Sequence, residues 1–149
     1  IYTLSLHDAL PICVSSMVQE RQRDIQAIYT LNALQVSCGD PLIPTATATV
    51  TDESGARHVA CSTGTGPVDA AYKAIDQIVE THGDLQEFAV KAVTRGIDAI
   101  GEVTVRVQAK DGKVYTGRGA DNDIIVSSAK AYVNAINRMI QTARSKAGE

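Results

Sequence analysis

The sequence contains the same order of structural patterns twice, and this internal repeat restricts the possible folds more than any other feature of the chain. In the first copy, the alternating run Thr45 to Thr51 leads through the turn sequence DESG into a second run, Ala56 to Thr63. In the second copy, Glu102 to Ala109 leads through KDG into Lys113 to Thr116, which begins the returning strand. Alternating runs joined by short glycine-containing turns are typical of β-hairpins. The chain therefore predicts two equivalent hairpins.

A G-x-G triplet follows each hairpin, Gly64-Thr65-Gly66 in the first copy and Gly117-Arg118-Gly119 in the second. Each triplet is predicted to form the turn that leads into a helix. Free backbone N–H groups and the positive end of the helix dipole can hold a carboxylate at such a place, and glycine allows the ligand to approach the backbone. The alternative is a tight turn without a ligand, because a repeat can also preserve a purely structural turn.

Two helices are predicted after these triplets. In the first, Pro67 suits the first turn and the pattern ends at His82-Gly83; in the second, Asp121 or Asp123 is available as the N-cap and the pattern runs to about Ala143. Apolar side chains recur at three- and four-residue steps in both: Val68, Ala71, Tyr72, Ile75 and Ile78, then Ile124, Ile125, Ala129, Tyr132, Ala135, Ile136 and Ile140. For Asp69 and Asp123, helix capping is one reading and an ammonium partner the other.

An extended stretch also precedes each hairpin, Ile25 to Ser37 in the first copy and Leu85 to Val93 in the second. Each copy is then strand, strand, strand, helix. The predicted fold class is α+β: two pseudo-symmetric β-β-β-α units, at about 25–82 and 85–143, with antiparallel sheets and helices on one face. One layer of helix leaves the opposite face of a sheet uncovered, so a homodimer is predicted.

Composition and charge exclude several classes of protein. The formal net charge is −3 without a Lys/Arg run, which argues against a nucleic-acid partner. No apolar stretch reaches the roughly 18 residues of a membrane span. The three cysteines are widely spaced, which disfavours both a disulfide framework and a zinc site and indicates reduced thiols in the cytoplasm.

Catalytic machinery is missing from the sequence. The three histidines His7, His58 and His82 are isolated and are assigned structural roles, and Cys61 is assigned to the core. No HExxH, GxSxG or P-loop pattern is present. We therefore predict no catalytic residue, no metal ligand, no cofactor and no activity for this chain alone.

Several segments together resemble one known family. They are LNALQVSCG at Leu31 to Gly39, GTGPVDAAYKAID at Gly64 to Asp76, GIDAIGEVTVRV at Gly96 to Val107, and GRGADNDIIVSSAKAYVNAIN at Gly117 to Asn137. This set is similar to the C-terminal regulatory, or dimerisation, domain of 2-isopropylmalate synthases, over about Ile25 to Ile140. The resemblance implies two β-β-β-α units that bind leucine near a dimer interface as feedback inhibitor.

The resemblance also implies a missing partner domain. In that family an N-terminal TIM barrel with a divalent metal condenses acetyl-CoA with 2-oxoisovalerate, an acyl transfer in leucine biosynthesis. Residues 13–24 are then predicted to be a linker from this catalytic domain and residues 144–149 a tail. Residues 1–12 resemble translated sequencing-adapter DNA and are predicted to be non-native.

The family's effector site can be carried over only where the motifs match. Phe88 stands where the family often has Tyr, so a hydroxyl contact there is in doubt. The resemblance implies an effector site made of Gly64, Gly66, Pro67, Val68, Ala70, Phe88, Ala92, Ala99, Asn122, Asp123 and Ile124.

Two alternatives stay open at this point. The similar domain of citramalate synthase binds isoleucine, which differs from leucine by the position of one methyl group, and an apolar pocket discriminates such ligands by only about 1 to 3 kcal/mol. The other alternative is a structural dimerisation module without an effector.

Overall fold

The computed structural model describes residues 27–79, 81–93 and 99–148. The predictions for residues 1–12 and 13–24 lie outside these ranges. In chain order the elements are β1 (Tyr29–Ser37), β2 (Thr45–Asp52), β3 (Arg57–Thr63), α1 (Pro67–Asp76), β4 (Asp84–Ala92), β5 (Gly101–Gln108), β6 (Val114–Asp121) and α2 (Ile124–Ala147).

The strands form two antiparallel three-stranded sheets, β1-β2-β3 and β4-β5-β6, each followed by its helix. The predicted α+β fold of two β-β-β-α units is confirmed. The two hairpin turns are equivalent in detail, because Gly55 and Gly112 have φ values of 84° and 82°. Each glycine N–H donates to a carbonyl three residues earlier, that of Asp52 and that of Ala109. Glycine takes this left-handed conformation without the steric cost that a side chain would add.

The first strand of each sheet carries a β-bulge at an equivalent place, between Leu31 and Ala33 in β1 and between Leu85 and Glu87 in β4. The extra residue keeps Leu31 and Leu34 on one face of β1, although they are three positions apart. It does the same for Leu85 and Phe88 in β4. The repeat therefore extends to the irregularities of the sheets.

The core lies between the sheets and the helices. The central strands supply Ala46, Ala48 and Val50 from β2 and Val103, Val105 and Val107 from β5, all with 0% exposure. Helix α1 packs on the first sheet, whereas α2 packs on β5 and β6 and also reaches β1 and α1. The two units consequently share one core and are not two separate domains.

Both helices end at places that differ from the predictions. Helix α1 ends at Asp76, before Ile78 and the predicted end at His82-Gly83. Val79 is still buried after the helix has ended, and its N–H donates to the Ile75 carbonyl at 3.1 Å, so the helical spacing continues for a few residues beyond Asp76. Helix α2 runs to Ala147, beyond the predicted end near Ala143.

An ion pair holds the last turns of α2. Arg144 donates to both carboxylate oxygens of Glu53 in the β2–β3 turn, at 2.7 and 2.8 Å. A cation near a helix C-terminus is also favoured by the helix dipole. These interactions account for the helical conformation of residues 144–147, which the sequence predicted to be part of a tail.

The two units meet where α1 contacts α2. The rings of Tyr72 and Tyr132 stack with centroids 4.4 Å apart and an interplanar angle of 15°. The Tyr72 hydroxyl donates to the Ser128 carbonyl at 3.3 Å, and the Tyr132 hydroxyl donates to Asp76 Oδ1 at 2.6 Å. These contacts advance in the same direction along both helices. The first turns of α1 and α2 therefore lie at the same end of the molecule.

Asp76 makes this junction sensitive to pH. Burial raises the pKa of its carboxyl above the ordinary value of 3.8, against the opposing effects of the Tyr132 hydroxyl and His82. Between pH 3.8 and its raised pKa, Asp76 therefore keeps its proton in the folded chain but loses it in the unfolded chain. The free energy of unfolding falls as the pH rises through this window, so the ionised Asp76 lowers the stability at neutral pH.

We expect Asp76→Asn to raise the free energy of unfolding at pH 7, since the amide oxygen still accepts from Tyr132 without a buried charge. The gain should disappear as the pH falls below 3.8, where Asp76 is protonated in both states. Urea unfolding between pH 7 and pH 3 measures it. Tyr132→Phe removes a hydrogen bond to the ionised carboxylate, so it should raise the pKa of Asp76 further and widen the pH range over which the stability falls. A constant difference between parent and Asp76→Asn at every pH would contradict the assignment.

Candidate functional site

The second G-x-G triplet does not form a loop, contrary to the prediction. Gly117 and Gly119 lie inside β6 and are buried against α2. A Cβ atom at Gly117 would overlap the carbonyl oxygen of Ala131, and one at Gly119 would overlap that of Ser127. These glycines therefore allow the strand to approach the helix backbone, and they do not hold an anion.

The first triplet does precede a helix, as predicted. Gly66 is the N-cap of α1, its backbone is extended, and it provides no side-chain hydrogen bond to the free N–H groups of the first turn. Pro67 occupies the first turn. A Cβ at Gly66 would have no atom within 4 Å, whereas one at Gly64 would meet the backbone of Ala70. The start of α1 is therefore uncapped and open at Gly66.

Asp69 closes the loop beside this helix start. Its carboxylate accepts from the Thr65 N–H at 2.9 Å and from Lys73 Nζ at 2.8 Å. The Lys73 ammonium, followed by the Thr65 N–H, lowers the pKa of Asp69. Asp69 therefore holds the loop before the helix and does not cap a free N–H of α1, and its ammonium partner within the chain is Lys73 of the same helix.

The start of α2 is capped by its own side chain. Asp123 is the N-cap and accepts from the Ile125 N–H at 2.8 Å, which decides between the two predicted caps. Asp121 instead accepts from Lys130 Nζ at 2.6 Å, and this contact lowers the pKa of Asp121. Contact of Asp123 with an effector ammonium stays a prediction.

Two side chains of β1 connect the two helix starts. Leu34 and Val36 pack against Ala46 of β2 and against Ala70 and Ala71 near the start of α1. They also line a cavity of about 130 Å³ together with Cys38, Asp123, Ile125 and Val126. A cavity of about 150 Å³ can hold benzene. This one therefore has room for a branched aliphatic side chain but not for a whole amino acid.

One apolar strip remains uncovered on the second sheet. Leu85, Phe88 and Val90 of β4 lie opposite Val107, Val105 and Val103, so they share the face that α2 covers on β5 and β6. However, α2 does not extend over β4, and Phe88 is 40% and Val90 46% exposed. The equivalent residues of β1 are half-buried, because α2 reaches that strand.

The second group of predicted effector residues gathers at the end of this strip. Ala92 pairs with Gly101, and a Cβ at Gly101 would lie 3.3 Å from Ile124 Cγ1. Ile124 is 47% exposed, Ala99 is half-buried, and Asn122 and Asp123 are exposed. The structure thus places the eleven predicted residues in two groups, one at the start of α1 and one between β4 and the start of α2. In one chain neither group is enclosed.

The LeuA allosteric (dimerisation) domain family matches residues 13–140. The chain belongs to this family. The 2-isopropylmalate synthase of Olsenella uli is 74% identical over 136 residues, which are 91% of this chain and 27% of that protein. Those of Gloeobacter violaceus and Prochlorococcus marinus strain NATL1A are 48% and 47% identical, over 85% of this chain and 23% of each protein. The chain thus spans about a quarter of the length of these relatives.

The two histidines that the structure describes in this LeuA-type domain, His58 and His82, contact different carboxylates. His58 Nε2 lies 2.8 Å from Asp52 Oδ2, and this contact lowers the pKa of Asp52. His82 Nδ1 lies 3.9 Å from Asp76 Oδ1, and His7 lies outside the described residues. Within residues 27–79, 81–93 and 99–148, no group of three His, Cys, Asp or Glu side chains could hold a metal ion.

Cys61 is exposed, so its assignment to the core was wrong. It lies opposite Thr47, on the face of the first sheet that points away from Ala46 and Ala48. Strand alternation therefore directs its thiol away from α1. Among the helices that the structure describes in this LeuA-type domain, none is long and apolar enough to cross a membrane.

Proposed function

We propose that the chain is the regulatory domain of a 2-isopropylmalate synthase and that it binds leucine as a feedback inhibitor. The membership of the LeuA allosteric (dimerisation) family supports this proposal most strongly, together with the names of the relatives. The complete protein would then carry a catalytic domain that uses a divalent metal and condenses acetyl-CoA with 2-oxoisovalerate in the cytoplasm.

The uncovered strip on β4 supports a homodimer. Leu85, Phe88 and Val90 continue the core face of the second sheet beyond the reach of α2. Val93 and Ile100, next to the same strip, are 55% and 39% exposed. Apolar side chains that extend a core face into solvent are typical of a protein interface. A second copy that covers this strip would enclose three residues of the predicted effector site: Phe88 within the strip, and Ala92 and Ile124 beside it.

The open start of α1 supports an amino-acid ligand. The free N–H groups beyond Gly66 can donate hydrogen bonds to a carboxylate, and no capping side chain competes for them. Among the other predicted residues, Ala92, Ala99 and Ile124 are small or aliphatic and suit a branched side chain. Asp123 would face the ammonium group, while its other interaction caps α2.

Leucine should stabilise the chain. With free leucine a hundredfold above its dissociation constant, the free energy of unfolding should rise by about 2.7 kcal/mol. Thermal unfolding with leucine, isoleucine and valine, and the mass in solution by light scattering, test the ligand and the dimer separately. A larger shift with isoleucine would favour the citramalate synthase alternative. A dimer without any shift would indicate a structural module.

Gly66→Ala should separate binding from folding. The added methyl meets no atom of the chain, so the free energy of unfolding should fall by about 1 kcal/mol or less. It would stand where the ligand carboxylate approaches the helix start, so leucine affinity should fall at least tenfold by calorimetry. Gly148→Ala is the control: it adds the same methyl group at the C-terminal end of α2, away from the two helix starts, and should keep full affinity. Unchanged affinity in Gly66→Ala would place the ligand elsewhere.

A further inference from the structure

A second cavity, of about 410 Å³, lies beside the last turns of α2, away from the helix starts. Three segments form it: Thr81 and His82 before β4, the β5–β6 turn, and the end of α2. Its volume falls within the range of about 300 to 1,000 Å³ that is usual for small-molecule sites. No residue of the predicted effector site lines it.

The walls of this cavity differ in character. Tyr115, Met139 and Ala143 form an apolar surface, and Met139 is 3% exposed. Lys110, Lys146 and His82 also line the cavity and are exposed to solvent, so they form its charged rim. An apolar surface beside convergent charged groups is the usual composition of a site for a small organic ion.

Lysines outnumber carboxylates in the described lining of this cavity. Lys110 and Lys146 line it, and Lys113, just after the same turn, interacts with Lys146. Asp111 is the one carboxylate that lines the cavity. By contrast, Lys73 and Lys130 each form an ion pair, at 2.8 and 2.6 Å. A chain with a net charge of −3 thus places two lysines in the lining of one cavity, and a third lysine interacts with one of them.

The contact between the two lysines is unfavourable when both are charged. Because an ammonium group has only donors, a hydrogen bond between the two amines requires one of them to be neutral. The contact accordingly lowers the pKa of Lys146 and raises that of Lys113. An anion between the amines would let both remain charged.

We propose that this cavity binds a small organic phosphate, with the phosphate on Lys110, Lys113 and Lys146 and the apolar part against Tyr115 and Met139. A phosphate fits better than a carboxylate, because lysine binds phosphate as a compact point charge and a phosphate group can carry two negative charges. A dianion also neutralises two ammonium groups at once.

Phenyl phosphate is a suitable probe, because its ring can contact the apolar wall. Titrated into the ¹⁵N-labelled chain at constant ionic strength, it should shift the amide signals of residues 109–115 and 139–146 and saturate. Inorganic phosphate should bind at the same place but more weakly, and benzoate more weakly than phenyl phosphate. Lys146→Gln and Lys113→Gln should each weaken phenyl phosphate binding about tenfold, the loss of one hydrogen bond to a charged group.

Arg57→Gln is the matched control, since it removes the same charge from exposed β3 and should leave the affinity unchanged. An equal loss in Arg57→Gln, or shifts that do not saturate, would overturn the site, because both indicate unspecific attraction. Benzoate binding as tight as that of phenyl phosphate would overturn the phosphate assignment. The lysine variants should keep their response to leucine, so the failure of either proposal can be recognised separately.

Discussion

Replacing Gly119 with alanine is expected to reduce the free energy of unfolding by about 3 kcal/mol or more, or to prevent folding. The new Cβ would overlap the carbonyl oxygen of Ser127, and it would lie 2.7 Å from the backbone nitrogen of Ala131. Both atoms belong to the backbone of α2, so a side-chain rotation cannot relieve the contact. The whole helix would have to move away from β6, and the packing of Val103 and Val105 would loosen with it.

Urea unfolding followed by circular dichroism measures this loss. Gly66→Ala is the control, because it adds the same methyl group to open space and should change the stability little. Gly117→Ala should behave like Gly119→Ala, since its Cβ would overlap the carbonyl of Ala131. If Gly119→Ala differed from the parent by less than about 0.5 kcal/mol, β6 could not approach α2 as closely as described.

Asn137→Leu is expected to cost about 2 to 4 kcal/mol, although leucine has the same number of side-chain heavy atoms and the same branching at Cγ. Asn137 is 1% exposed, and its amide both accepts from the Tyr29 N–H and donates to the Tyr29 carbonyl, each at 2.8 Å. The side chain thereby pairs with β1 as a neighbouring strand would. Removing it takes away both of these hydrogen bonds at a part-buried place, and the loss of each is expected to cost about 1 to 2 kcal/mol.

Hydrogen exchange distinguishes this effect from a general loss of stability. Amides at the start of β1 should lose protection first, because Asn137 connects that strand to the second unit. Asn134→Ala is the matched control: it lies one turn earlier on α2 and donates to the Arg118 carbonyl at a more exposed place. It should cost about 1 kcal/mol. Equal effects of the two substitutions would show that Asn137 does not anchor β1.

Part of the candidate site could be predicted from the sequence, because local sequence patterns determine it. The turn before α1 and the capping by Asp123 depend on residues that are close along the chain, and both predictions were correct. The equivalence of the two G-x-G triplets was wrong, because a glycine in a loop and a glycine under a helix look alike in a sequence. Leu34, Val36 and Cys38 lie within a motif that carried the family resemblance, yet nothing local indicated that they line a cavity with Asp123.

The sequence by itself determined the repeated order of strands and helices, since alternation and turn residues act over a few neighbouring positions. The tertiary structure decided which contacts each strand and helix makes. The apolar residues of β1 and β4 have the same spacing, but α2 covers one strip and leaves the other open. The end of α1, the anchoring of Tyr29 by Asn137 and the three lysines around one cavity likewise depend on contacts between distant segments. Such contacts form only when segments that are distant along the chain pack against each other, and no local pattern encodes them.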